Sequence, residues 1–375
     1  MWRRRAKLIL IIALLLCITT GCWDALDIEE RSIQTFVILD KTDRGYAFYT
    51  EYVVVQSSSS SGAVSGQNAY EFNIGEGESL AAAREDLEAK ADNPIYLGAV
   101  SAVVLTSNMA KHGIEEYMYR LREINDYRKV VHIFITDNAP QEFMILGKGE
   151  TSVGKMVEDT MQNLVKNNRI CNIGHLSDVL EALAGPSRCF MLPNVNIHEN
   201  DIEITGFSAF SGGVCIGAVP WAQSRGIEFI SMKDAEMYYD VPFGQEKATF
   251  KLRLKKKKIE PSYQDGKIGF LITETLNAEL AYMSEAITFY DQGEAQLKAE
   301  LEDMIANDIL ETVRISQKEF RCDYLQFSTY FRIKYPVEYR TIYWEEEFPD
   351  AEIGVQVTVD LDTTGKHDFI PQYEF

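Results

Sequence analysis

Apolar positions along this chain follow two rhythms, a period near two and a period between three and four, and the two alternate. Ile33 to Leu39 is a strand-like run, Lys41-Thr42-Asp43-Arg44-Gly45 reads as a turn, and Tyr46 to Gln56 as the returning strand. Together they predict a β-hairpin. Ser57 to Ser61, with Gly62, Ser65 and Gly66, is a loop of low complexity. Leu80, Ala83, Leu87 and Ala91 then keep helical spacing until Asn93-Pro94 stops them. Ile95 to Thr106 is a buried-strand candidate, and Ile114, Tyr117, Met118, Leu121 and Ile124 share one face of a helix. Val130 to Thr136 reads as a strand; Val153, Met156, Val157, Met161, Leu164 and Val165 mark a further amphipathic helix.

A boundary is expected near Pro193 to Glu203, after which the pattern restarts with strands at Ile204 to Phe210 and Val214 to Val219. Phe250, Leu252 and Leu254 alternate with basic residues, and Ile268, Phe270 and Ile272 alternate similarly. Leu297, Leu301, Ile305, Ile309, Val313 and Phe320 recur at spacings near four and seven, a long helix. Ile353, Val355, Val357, Val359 and Leu361 close the chain with an unbroken strand pattern. No repeat links the halves. The predicted fold is α/β (α+β): mixed sheets flanked by helices in two or three domains, with a long helix packed on a sheet in the last. The expected division is 1–21 as a signal, 22–200 as an α/β region of one or two subdomains, and 204–375 as a second α/β domain.

The first 21 residues have a different logic. Arg3, Arg4, Arg5 and Lys7 precede an apolar core from Leu8 to Ile18. That core is about half of the roughly 20 residues a spanning helix needs, which suits a signal peptide. Ile18-Thr19-Thr20-Gly21-Cys22 ends it with a small residue before a cysteine, the pattern of a lipobox, although Thr19 stands where Leu, Val or Ile is usual. Cleavage before Cys22 and diacylglyceryl transfer to its thiol are therefore expected; Cys17 follows the bulky Leu16 and competes poorly. No other stretch approaches spanning length.

The chain of 375 residues carries a net charge of −20, near −24 without the signal. Such a field argues against binding nucleic acid, or an anionic membrane through overall charge, and favours solubility or a basic partner. Beyond the signal the cysteines are Cys171, Cys189, Cys215 and Cys322, with no C-x-x-C pair. An extracytoplasmic address permits a disulfide, with Cys171 and Cys189 nearest in sequence; free buried thiols are the expectation.

Candidate chemistry is sparse. His112, His132, His175, His198 and His367 are scattered without ligand spacing, so neither metal nor cofactor is expected. No serine sits in a G-x-S-x-G elbow. Gly75-Glu76-Gly77-Glu78 reads as a loop and helix start, its carboxylates suited to the helix dipole and not to phosphate. Lys255 to Lys258 reads as a solvated strand end that resists edge pairing, or a docking patch for an acidic partner. Glu345-Glu346-Glu347 reads as an exposed helix end, because adjacent carboxylates do not span a cleft as an acid/base pair. Nothing demands an enzyme.

Gly21-Cys22-Trp23-Asp24, followed by Ile38-Leu39-Asp40-Lys41, resembles the opening of the Ger(x)C family of spore germination lipoproteins. The likeness continues through Tyr119-Arg120-Leu121-Arg122-Glu123 and Arg128-Lys129-Val130-Val131. It returns at Gly206-Phe207-Ser208-Ala209-Phe210, Ile216-Gly217 and Ser224-Arg225-Gly226. It ends with Cys322-Asp323, Lys334-Tyr335-Pro336, Trp344, Phe348-Pro349 and the strand from Ile353. The resemblance implies several α/β domains and a noncatalytic C subunit of a nutrient germinant receptor. That subunit would be lipid-anchored on the outer face of the spore inner membrane and work with two integral-membrane subunits. Cys22 is the one position whose role carries over. A solute-binding lipoprotein of a transporter is the alternative reading, and an anchored hydrolase a third.

Overall fold

The computed structural model describes residues 28–54, 69–123, 127–147, 151–243, 246–283 and 291–362, with Trp2 and Arg5. The signal, Cys22, the 57–66 loop, Ile124 and the tail after Asp362 lie outside the described residues.

Two sheets organise the chain. The first contains β1 (Ser32–Thr42), β2 (Gly45–Val54), β3 (Ala69–Gly77), β4 (Ile95–Tyr96), β5 (Ala102–Thr106), β6 (His132–Thr136), β7 (Cys189–His198), β8 (Asp201–Ser211) and β9 (Val214–Pro220). Its order is β3-β2-β1-β5-β6-β7-β8-β9, with β4 beside the start of β1. β1, β5, β6 and β7 run parallel; β2, β3, β8 and β9 extend the sheet by antiparallel pairing. The expected first hairpin is β1–β2, closing at Thr42 and Gly45.

The continuous run Phe36-Val37-Ile38-Leu39 marks a strand covered on both faces. Phe36 and Ile38 point into one core with Val104 and Phe134, whereas Val37 and Leu39 point into the other with Leu87, Met118 and Leu121. The covering helices are α1 (Leu80–Ala89), α2 (Ser107–His112), α3 (Glu115–Glu123), α4 (Pro140–Leu146), α5 (Val153–Lys166) and α6 (Leu176–Ala184). The buried carboxylate of Glu51 on β2 fixes α5, accepting from the Val153 N–H at 2.7 Å, the Thr35 hydroxyl at 2.6 Å and the Ser152 hydroxyl.

The second sheet is β10 (Glu236–Phe243), β11 (Glu246–Gln264), β12 (Lys267–Met283) and β13 (Glu352–Asp362), in that order, with β13 parallel to β12. Between the sheets lies α7 (Arg225–Ser231); α8 (Asp291–Arg314), α9 (Phe327–Lys334) and α10 (Trp344–Glu347) follow β12. The expected long helix is α8. Its stripe of Leu297, Leu301, Ile305, Ile309 and Val313 is fully buried. Helical winding widens to a π-turn over Ile315–Glu319, which ends the stripe before Phe320.

Three sequence expectations change, and the strands beyond the expected 200/204 boundary, β8 and β9, pair into the first sheet. Glu199 and Asn200, both at positive φ (51° and 74°), turn β7 directly back into β8. Two left-handed residues in succession make the tight hairpin whose twist keeps both strands in one sheet. Ile95 to Thr106 is two strands, broken where Val100 N–H turns back to the Leu97 carbonyl.

Gly75-Glu76-Gly77 is strand, not loop, paired with Phe48, Ala47 and Tyr46. A Cβ on Gly75 would stand 2.4 Å from the Ala83 carbonyl, so glycine lets α1 lie against β3. Ser79 caps α1. Finally, Lys255 to Lys258 lies mid-strand in β11, paired with β12 and just past Arg253, where the pairing with β10 ends. A register shift between Leu254 and Lys256 reverses the parity of the strand. Phe250, Leu252 and Leu254 face the core before it; Ile259 does so after it, and Lys257 turns inward with it.

Candidate functional site

The chemistry of this chain collects at the junction of the two sheets. The core containing Phe134 and Val157 continues into that containing Phe250, Leu276 and Leu301. α7 crosses the join, and a Cβ on Gly226 would lie 2.4 Å from the Asp308 carbonyl of α8. The close approach explains the glycine in Ser224-Arg225-Gly226. Arg225 lies over the Tyr239 ring, its guanidinium carbon 4.7 Å from the centroid.

Cys189, at the start of β7, forms a disulfide with Cys322, with Cα atoms 5.9 Å apart across 133 residues of sequence. This corrects the expectation of four free thiols and of Cys171 with Cys189 as the pairing to consider. Sequence distance says nothing about which ends the sheet topology brings together. Cys171 and Cys215 are free.

Next to the disulfide, Asp323 is buried and accepts from Phe327 N–H at 2.8 Å, Ser328 N–H at 2.7 Å and the Trp344 indole N–H at 3.0 Å. It thereby caps α9 and fixes Trp344, which packs against Phe270, Phe331 and Phe348. The scattered motifs Cys322-Asp323, Trp344 and Phe348-Pro349 are thus one packed knot. Lys334 adds a bond to the Pro261 carbonyl at 2.8 Å.

A second buried cluster lies behind α7. Lys257, opposite Glu274 in the β11–β12 register, donates to the Phe229 carbonyl at 3.0 Å and to those of Ile230 and Met232. Glu228 accepts from Cys171 N–H at 2.6 Å, while its other oxygen and both oxygens of Glu274 have no hydrogen-bond partner among the described residues. Burial pushes Glu228 and Glu274 up to about 8, the latter opposed by Lys257, and draws Lys257 down to about 8. Burial also lifts Asp323 to about 6 against its three hydrogen bonds, and holds the Cys171 thiol protonated.

A carboxyl raised in the fold stabilises it below its unfolded value, and that stability is lost as pH rises through the folded value. Lys257, lowered, contributes only above about 8. Between pH 5.5 and 8 the three carboxyls therefore act in one direction. Thermal scans should show Tm falling by about 5 °C over that window. The double variant Glu228→Gln, Glu274→Gln should flatten most of the slope.

The histidines divide. His132 and His175, far apart in sequence, stack with ring centroids 4.0 Å apart. His132 is fully buried, with Nδ1 2.9 Å from Glu158 and Nε2 3.1 Å from Asn172, so no ring nitrogen is left for a ligand. His175 pairs with Asp178 at 3.2 Å. His112 contacts the Tyr46 hydroxyl, and His198 stands at the β7–β8 turn, both apart from this pair. His367 lies outside the described residues. Glu345 to Glu347 are exposed on α10. Among the described residues no group of three metal-ligating side chains gathers, and no helix is long and apolar enough to cross a membrane.

An open cleft of about 700 Å³ separates α6 from α9, with Asp178 and Glu181 on one wall and Arg332 and Tyr339 on the other. Periodicity carried no signal for it, because its walls come from three separate stretches of chain.

The comparisons agree with this architecture. The family described as "Spore germination protein N-terminal domain" matches residues 24–197, and "Spore germination B3/ GerAC like, C-terminal" matches 205–365. Spore germination protein A3 of Bacillus subtilis (strain 168) is 20% identical over 365 residues, covering 93% of this chain and 96% of that protein. Spore germination protein YndF of the same organism is 21% identical over 397 positions, covering 96% of each. The crystal structure of the GerBC protein superposes with a TM-score of 0.55 at 13% identity, over 87% of this chain and 96% of that one, which is a likeness of fold. With both family domains matched in order along nearly its whole length, the chain belongs to the Ger(x)C family of spore germination proteins.

Proposed function

We propose that this protein is the lipid-anchored C subunit of a nutrient germinant receptor, held on the outer face of the spore inner membrane through Cys22. It works there by contact with two integral-membrane subunits. The observation that carries the reading is the paired family match over residues 24–197 and 205–365, beginning two residues after Gly21-Cys22. A noncatalytic role accords with the buried His132 and with Asp323 at the junction, both committed to structural partners. Cofactor and metal have no part in the proposal.

Spores lacking the chain should lose their response to at least one nutrient and still germinate with a trigger that bypasses nutrient receptors. Spores that answer every nutrient as the parent does would refute a receptor role.

A further inference from the structure

One end of the molecule combines features that the receptor reading does not use. β1, β5 and β6 run parallel, so their starts share an edge, and the chain reaches β1 from residue 28 at that edge. Ser32 N–H bonds the Pro94 carbonyl, and Arg128 donates to the Val100 carbonyl at 3.0 Å. Ser177 N–H bonds the Lys129 carbonyl, which joins this edge to the start of α6 and the cleft wall at Asp178. Across the cleft stand Arg332 and Tyr339. The start of β1, residues 128–130 and residues 332–343 therefore belong to the same end.

Exposed apolar side chains concentrate there. Val130 is 63% exposed, Ile333 74%, Val337 69% and Tyr343 78%. Two of them are set among cations: Arg128-Lys129 precedes Val130, and Ile333 stands between Arg332 and Lys334. Between 332 and 343 the sole acidic residue is Glu338, against Arg332, Lys334 and Arg340, in a chain of net charge −20. The run stops at Glu345 to Glu347.

An acidic body is repelled from an anionic bilayer except through an end where positive charge is gathered. Lys and Arg reach phosphates while Tyr and single aliphatic side chains enter the headgroup layer. A protein interface would instead centre on a contiguous apolar patch. We propose that this end is a bilayer-facing surface, with Arg128, Lys129 and Arg332 on anionic lipid headgroups and Ile333, Val337 and Tyr343 in the headgroup layer. The inference rests on the Cys22 anchor, which brings the end to the membrane, and adds the orientation the anchor alone leaves free.

The test uses the full lipidated chain in vesicles of brominated phosphatidylcholine, with or without one third phosphatidylglycerol. Tyr343→Cys, or Tyr282→Cys as a control, carries a fluorophore in a Cys215→Ser background. Tyr282 is exposed and lies twelve residues along β12 from Phe270 at the α9 end, roughly 40 Å away. The label at 343 should be quenched several-fold more with phosphatidylglycerol than without it. Lys129→Glu with Arg332→Glu should abolish that gain, and the label at 282 should stay unquenched. Equal quenching with both lipids, no quenching at 343, or indifference to the double charge reversal would overturn the proposal. So would a 343 label shielded only in membranes containing receptor subunits, which would assign the face to a protein. A chain that fails to float with the vesicles would show that the anchor itself is wrong, and the proposal would fall with it.

Discussion

Replacing Asp323 with alanine should cost about 4 kcal/mol of folding stability, a large effect for a single substitution at the junction. Three buried donors, Phe327 N–H, Ser328 N–H and the Trp344 indole, would lose their shared acceptor. Each unsatisfied donor costs roughly 1–3 kcal/mol, partly relieved where water enters the space left behind. The capping of α9 goes with it, and so does the constraint that seats Trp344 on Phe270, Phe331 and Phe348. For a chain of this length such a loss lowers Tm by about 6 °C. Asp323→Asn, which keeps one acceptor oxygen, should lose less than half as much. A calorimetric comparison decides the matter: an Asp323→Ala protein within about 1 °C of the parent would mean that the knot does not hold the junction.

Cys22→Ala should move the protein out of the membrane fraction almost completely while leaving its fold and Tm unchanged. Two acyl chains, each contributing about 0.8 kcal/mol per buried CH₂, make an effectively permanent anchor. Without the thiol there is no site for them, and the uncleaved apolar core from Leu8 to Ile18 is too short to span. After a high-salt wash that strips protein partners, the membrane-bound share should fall at least about tenfold. A variant that still sediments with washed membranes would show that something other than lipid holds this protein there.

Long, unbroken periodicities were legible in the sequence because burial acts on every turn or every second residue. The β1–β2 hairpin, α1, α5, α8 and β13 all stand where their patterns predicted them. What periodicity cannot register is a single inserted residue. The bulge after Leu254 turns Lys257 inward, and no local feature of a run of four lysines distinguishes the one that will turn inward. Glycines were ambiguous for a related reason. Gly75 reads as loop chemistry until the helix that lies on it is known. The tight turn at Glu199-Asn200 hid the reach of the first sheet, since neither residue is the glycine that usually marks a left-handed pair.

The junction was legible only in pieces. Cys322-Asp323, Trp344 and Phe348-Pro349 stood out by resemblance, yet nothing in the sequence joined them to one another or to Cys189. Their contacts are made across as many as 133 residues by the packing of two sheets. Buried polar residues such as Glu51 and Asp323 carry no pattern of their own, because their burial is decided by the donors that happen to converge on them.

Affinity purification of the tagged protein from solubilised dormant-spore membranes tests its membership of a receptor complex most directly. Mass spectrometry should recover two multi-spanning receptor subunits with it, in comparable amounts. Recovery of an ATP-driven permease, or of no specific partner, would contradict the account.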